Sequence, residues 1–150
     1  MKREDIESYN YIIIAVVVVL VGAVFFFRIK NQEVYFARSA LYGLAKGNLG
    51  VVKQINWPIF RAFDNNTCQY YNNLPNEREK NDFQVAFVHN FSRGFRAAGS
   101  KLSSYTNWRV DSREPGLIIV AVDDTAHNKT ALLFISTVPK HKLAGLFWKE

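Results

Sequence analysis

From Tyr11 to Phe27 no charged side chain interrupts the sequence: 17 apolar or small residues, YIIIAVVVVLVGAVFFF, run up to Arg28. As a helix this run is about 26 Å long, the short end of what crosses a hydrocarbon core of about 30 Å. Tyr9, Asn10 and Ile29 can extend it at the interfaces. Val, Ile and Phe each favour insertion by roughly 0.3–0.6 kcal/mol at mid-membrane, so the sum favours a span. A cleaved signal would carry a shorter core, a basic leader and a small-residue cleavage site. Here the run ends in Phe25-Phe26-Phe27, then Arg28 and Lys30, behind a leader of mixed sign. A helix in a soluble core would keep a polar face for water, and this one has none. The pattern predicts a short tail (1–10) and a single uncleaved transmembrane helix (11–29). Tyr11, Phe25, Phe26, Phe27 and Arg28 mark the ends of this anchor in membrane lipid.

After the anchor the periodicity changes. Val34, Ala37, Leu41 and Leu44 recur at three- and four-residue steps, the single buried stripe of a helix over Glu33–Ala45. Gly47 then supplies the residue that most cheaply adopts a left-handed cap. A second helix is expected from Leu49, carrying Val52 and Ile55 inward, until Trp57-Pro58 breaks it. Pro58 can open a short helical turn through Phe63. The stretch NNTCQYYNNLPNEREKN reads as a polar connection, and the next helix can start at Asn76, with Glu79 as a capping box, or at Asn81. Phe83, Phe87, Phe91 and Phe95 then fall at four-residue steps, so helix is preferred to strand there.

From Ser104 onward the period becomes two. YTNWRVDS alternates, EPG turns, LIIVAV is a buried strand, DDTAHN turns again, and TALLFISTV and KLAGLFWK follow on either side of Pro139. Helices first and consecutive strands afterwards make an α+β domain over 30–150, three helices packed on an antiparallel sheet of about four strands. The link Ile29–Gln32 is short enough for the first domain helix to continue from the anchor.

Charge adds little to the picture. The chain has 19 Lys/Arg against 13 Asp/Glu, a net charge of +6, and the whole excess lies after Ile29. The basic residues are scattered and accompany no nucleic-acid motif, so no nucleic-acid partner is expected. Lys2 and Arg3 precede the anchor while Arg28 and Lys30 follow it. That balance leaves the orientation open. The lone Cys68 excludes an intramolecular disulfide.

Four stretches together carry a resemblance. ARSALYGLAKGNLGVVKQINWPIF is a small-residue helix closing on a GN step, NWRV enters the first strand, GLIIVAV lies in the middle and KLAGLFWK ends the chain. Over about Val34 to Glu150 this resembles the nuclear transport factor 2-like superfamily, the cystatin-like cone. The resemblance implies helices on a curved sheet. It implies no single activity, because that fold hosts dehydratases, isomerases, cyclases, ligand carriers and assembly scaffolds. Type IV secretion systems use similar-looking inner-membrane subunits with a periplasmic domain of this superfamily. By that likeness the protein is expected in the cytoplasmic (inner) membrane, single-pass, with its domain on the extracytoplasmic side.

Enzymes of the superfamily place an Asp or His general base inside the cone. His89 sits one residue from the Phe face and can point to the cone or to solvent, whereas Asp64 and Asp82 suit helix ends. Asp123, Asp124 and His127 form the one cluster with metal-ligating side chains, in a hairpin where Asp and Asn are ordinary turn formers. No phosphate loop, nucleophile motif or zinc spacing occurs. No catalytic residue, metal or cofactor is assigned.

Two features point to binding. Phe83, Phe87, Phe91 and Phe95, with Trp108 on the first strand, would face the concave side, as ordinary core or as the lining of a pocket for a small apolar ligand. The middle strands are apolar on both faces: Leu117, Ile119 and Ala121 on one, Ile118, Val120 and Val122 on the other, with Leu132 and Phe134 opposing Leu133 and Ile135. A sheet with one solvated face should alternate apolar and polar. Leu117, Ile118, Ile119, Val120, Val122, Leu132 and Phe134 are therefore candidates for an interface with a second copy or another membrane-complex subunit. The expectation is a non-enzymatic, membrane-anchored assembly module. The alternatives are a carrier of an apolar ligand or lipid and an isomerase- or dehydratase-like enzyme.

Overall fold

The computed structural model of the chain describes residues 3–63 and 66–150, with side chains at 12–27 and from 31 onward. The chain divides into two compact units, Met1–Gln32 and Glu33–Glu150. The first is dominated by helix α1 (Arg3–Lys30), in which every residue from Ile12 to Phe27 is exposed. Among the described residues no single helix is long and apolar enough to cross a membrane; Ile12–Phe27 and Gln32–Lys46 reach that length and composition only when taken together. Asn31 forms a turn, so α1 does not continue into the next helix.

The second unit is α+β. Helix α2 (Gln32–Lys46) buries Ala37, Ala40, Leu41, Leu44 and Ala45. It ends where Gly47 adopts φ +70°, with the Asn48 amide donating to the Gly43 carbonyl at 2.9 Å and the Gly47 amide to Leu44 at 3.1 Å. These two bonds satisfy carbonyls that a helix end leaves open. Leu49–Gln54 is a 3-10 turn, tighter than the α-helix expected there, and Val51 is its buried residue. Asn48 starts it by accepting from the Gly50 amide. The segment after Pro58 is not helical either: Arg61–Ala62 is a short strand, β1, parallel to the last strand of the sheet.

The polar connection contains a helix, α3 (Thr67–Asn72). Helix α4 (Glu77–Ala97) starts at Asn76, whose side chain accepts from the Glu79 amide and donates to the Glu79 carboxylate. At its far end Gly99, at φ +70°, repeats the left-handed termination of α2. Its fully buried positions are Val88 and Ser92, not the Phe stripe, and Ser92 Oγ donates to the Ala45 carbonyl at 2.9 Å. This bond ties α4 to the end of α2.

Strands β2 (Tyr105–Glu114), β3 (Leu117–Asp124), β4 (Lys129–Ser136) and β5 (Lys142–Trp148) form an antiparallel meander. The sheet order is β1-β5-β4-β3-β2. Register shifts in β2 and between Phe134 and Ile135 mark bulges, which bend strands. The core lies on one face of this sheet, where Ile118, Val120, Val122, Leu133, Ile135, Leu143 and Leu146 meet α2, Val51, Ile55, Trp57 and Phe60.

Candidate interaction face and cavity

The register separates the apolar strand residues into two sets. Val120 pairs with Leu133 and Ile118 with Ile135, on the face that carries the helices. Ile118, Val120 and Val122 are thus core residues, at most 7% exposed, and are removed from the interface candidates. Leu117, Ile119, Leu132 and Phe134 lie on the opposite face, joined by Phe147, which pairs with Leu132. All five are partly exposed, and none joins the core cluster.

Phe134 and Phe147 meet edge to face, centroids 5.1 Å apart. Their packing needs Gly145, where a Cβ would sit 2.6 Å from the Phe147 ring. Around this apolar centre two ion pairs close within the chain. Arg109 Nη1 lies 3.1 Å from Asp123 and Lys149 Nζ lies 3.3 Å from Asp111. Asn107, Thr130 and Arg109 all donate to Asp123 and hold its carboxyl below its usual range. The face is apolar at its centre, with these two ion pairs and Arg61 and Glu114, one of each sign, at its rim, although the whole chain carries +6.

Asp123 and Asp124 are successive strand residues and point to opposite faces, so they do not converge on one ion with His127. Among the described residues no group of metal-ligating side chains assembles. Asp124 is 1% exposed. Burial alone would raise its carboxyl, but His127, Ser104 and the Ala126 amide outweigh that and hold it low. His127 Nδ1 lies 2.7 Å from Asp124 Oδ2, and the ring also hydrogen-bonds the Ala98 backbone past the end of α4. Both contacts, the Asp124 bond first, raise the imidazole pKa. The cluster fastens the β3–β4 hairpin to the helix end.

Beside it lies an apolar cavity of about 270 Å³. Its lining includes Phe91, Gly94, Phe95 and Ala98 of α4, Leu41 of α2, and Phe63, Tyr105 and Trp148. Of the five residues expected on the concave side, only Phe91 and Phe95 line it. Phe83 and Phe87 pack instead on Trp57, at centroid distances of 5.9 and 5.5 Å, and fill that end of the interior. Trp108 stands against Tyr42, edge to face at 6.4 Å. The cavity exists because positions 94 and 98, on the same helix face as Phe91 and Phe95, carry almost no side chain. That spacing (F-x-x-G-F-x-x-A) was readable in the sequence but is masked by the regular Phe repeat.

Burial pushes the Tyr105 phenol up to about 12, and the Asp124 carboxylate beside it adds to the rise. His89 and Asp82 are exposed on α4. Asp64 lies outside the described residues, as do the side chains of Tyr11 and Arg28, while Phe25, Phe26 and Phe27 are exposed on α1. Compared with known protein families, curated proteins and solved structures, the chain matches none.

Proposed function

We propose that this protein is a membrane-anchored, non-enzymatic assembly module that pairs with a second copy of itself through the outer face of its sheet. The observation that carries the reading is that face: Leu117, Ile119, Leu132, Phe134 and Phe147, partly exposed and outside the core. Contiguous apolar patches rimmed by polar residues mark interaction sites. The rim favours a second copy over a strongly charged partner. Its ion pairs are closed within the chain, so two such faces can meet without bringing the excess of +6 together.

The anchor supplies the second element. Ile12 to Phe27 presents apolar side chains on every face of α1, with nothing polar to offer water. Taken from the sequence as 11–29, the run is 19 residues, within the roughly 17–25 that a span needs. Anchoring confines copies to a plane and raises their effective concentration, so a modest interface suffices. Helices preceding a four-stranded meander, with an apolar cavity between them, support the likeness to the nuclear transport factor 2-like cone. On that likeness the protein belongs in the inner membrane with its domain outside the cytoplasm.

The test is to wash membranes containing the full chain with alkaline carbonate, extract it in mild detergent, and measure its mass by light scattering. The reading expects retention in the washed membrane and a dimer. Ile119→Lys and Phe134→Lys are expected to stay folded by circular dichroism and to run as monomers. Release by carbonate would sink the anchor, and a monomeric wild type, or variants that remain dimeric, would sink the face.

A further inference from the structure

The cavity lies on the helix-covered side of the sheet and plays no part in the pairing proposed above. We propose that it is a binding site for a small, neutral, flat aromatic molecule. Three observations set that class. The first is size: about 150 Å³ is enough to hold benzene in an engineered apolar cavity, so about 270 Å³ leaves room for a fused two-ring molecule.

The second is the shape of the walls. Phe63 and Phe91 are nearly parallel (10° between planes), as are Phe91 and Phe95 (19°) and Phe63 and Trp148 (26°), with Tyr105 inclined by 31° to Phe95. Rings held in similar orientation offer flat surfaces on which another ring can stack, at offset or edge geometries that aromatic pairs prefer. A branched or flexible chain would leave those planes poorly covered.

The third is polarity. Among the described residues no charged side chain lines the space, and the polar groups of the lining side chains are the hydroxyls of Ser100 and Tyr105 and the indole N–H of Trp148. The two hydroxyls lie together, and the Tyr105 phenol is engaged by the Asp124 carboxylate behind it as well as by Ser100. An anionic ligand would meet Asp124 behind Tyr105, and a cation would find that carboxylate already paired with His127, so a neutral ligand suits the space. A neutral ring bearing one hydroxyl or ring N–H at its edge suits that end. Gly94, Ala98 and Trp148 are exposed, so the space is reached from solvent past the end of α4.

The site can be closed without disturbing the backbone. A Cβ added at Gly94 meets nothing within 4 Å, and a side chain there extends into the region that the glycine leaves open. The experiment uses the full chain in nanodiscs, labelled with 13C-methyl alanine and titrated with 2-naphthol while the Ala98 and Ala131 methyl resonances are followed. Saturable shifts of both are expected, with Gly94→Leu and Ala98→Leu each folding normally and weakening the response at least tenfold. Ile119→Lys, on the other face, is expected to bind like wild type whatever its effect on pairing. Absence of saturable shifts, or equal binding by both filled variants, overturns the site. Decanol shifting the same methyls at lower concentration than 2-naphthol overturns the aromatic class.

Discussion

Gly47 and Gly99 hold the same left-handed backbone at the ends of α2 and α4, both at φ +70°. Their surroundings differ. A Cβ at Gly99 meets nothing within 4 Å, whereas one at Gly47 comes within 3.3 Å of Ser92, which bonds the end of α2. Gly99→Ala should therefore cost about the conformational penalty alone, roughly 1–2 kcal/mol. Gly47→Ala should cost more, because the Ser92–Ala45 bond is pressed as well; denaturant titration of both variants measures the difference. Equal losses would show that the contact with Ser92 is irrelevant. His127 gives a pH dependence with a defined sign. Its folded pKa is raised, so its bond to Asp124 contributes fully below the unfolded value of about 6.5 and is lost as pH rises through the folded one. Asp124 is held low, so the pair persists down to the acid range and fails as pH falls through the carboxyl's depressed value. Wild type is expected to melt above His127→Ala at pH 5.5, with the gap narrowing at pH 8.5. A gap that widens with pH would contradict the assignment.

Among the elements, those with a long, regular period were legible and those built on distant pairing were not. Helix α2 and its Gly47 stop follow from the three- and four-residue steps, and the four strands of the meander from alternation and turn residues. Two residues, Arg61 and Ala62, cannot announce a strand whose partners, Gly145 and Leu146, lie more than 80 positions away. Six mostly polar residues in α3 hold no stripe to read. In α4 the Phe repeat was visible, but repetition is not depth. Val88 and Ser92 are the deepest residues because this side of α4 packs on the Leu49–Gln54 turn and, through Ser92, on the end of α2, and the Phe rings divide between the Trp57 cluster and the cavity. The doubly apolar strands were legible too, though not which face the helices would take. That choice has a direct consequence. Val120→Lys places a charge in a fully buried site and is expected to unfold the domain, while Ile119→Lys, one residue away, is tolerated. Thermal melts of the two variants should separate clearly, and similar melts would mean that the faces have been assigned wrongly.

Taken as a whole, the molecule carries three apolar surfaces, for which the occupants proposed above are lipid at α1, a second copy at the outer sheet and a ring in the cavity. The central claim is that the outer sheet faces join in the membrane. The most direct measurement replaces Cys68 by Ser, places single cysteines at Ile119, Leu132 or Phe134, and oxidises native membranes before non-reducing electrophoresis. Disulfide-linked dimers are expected from the positions nearest the two-fold axis, and none from a control cysteine at Asn81, exposed on α4. Monomer at all three face positions, or dimer formed as readily from Asn81, would contradict the account.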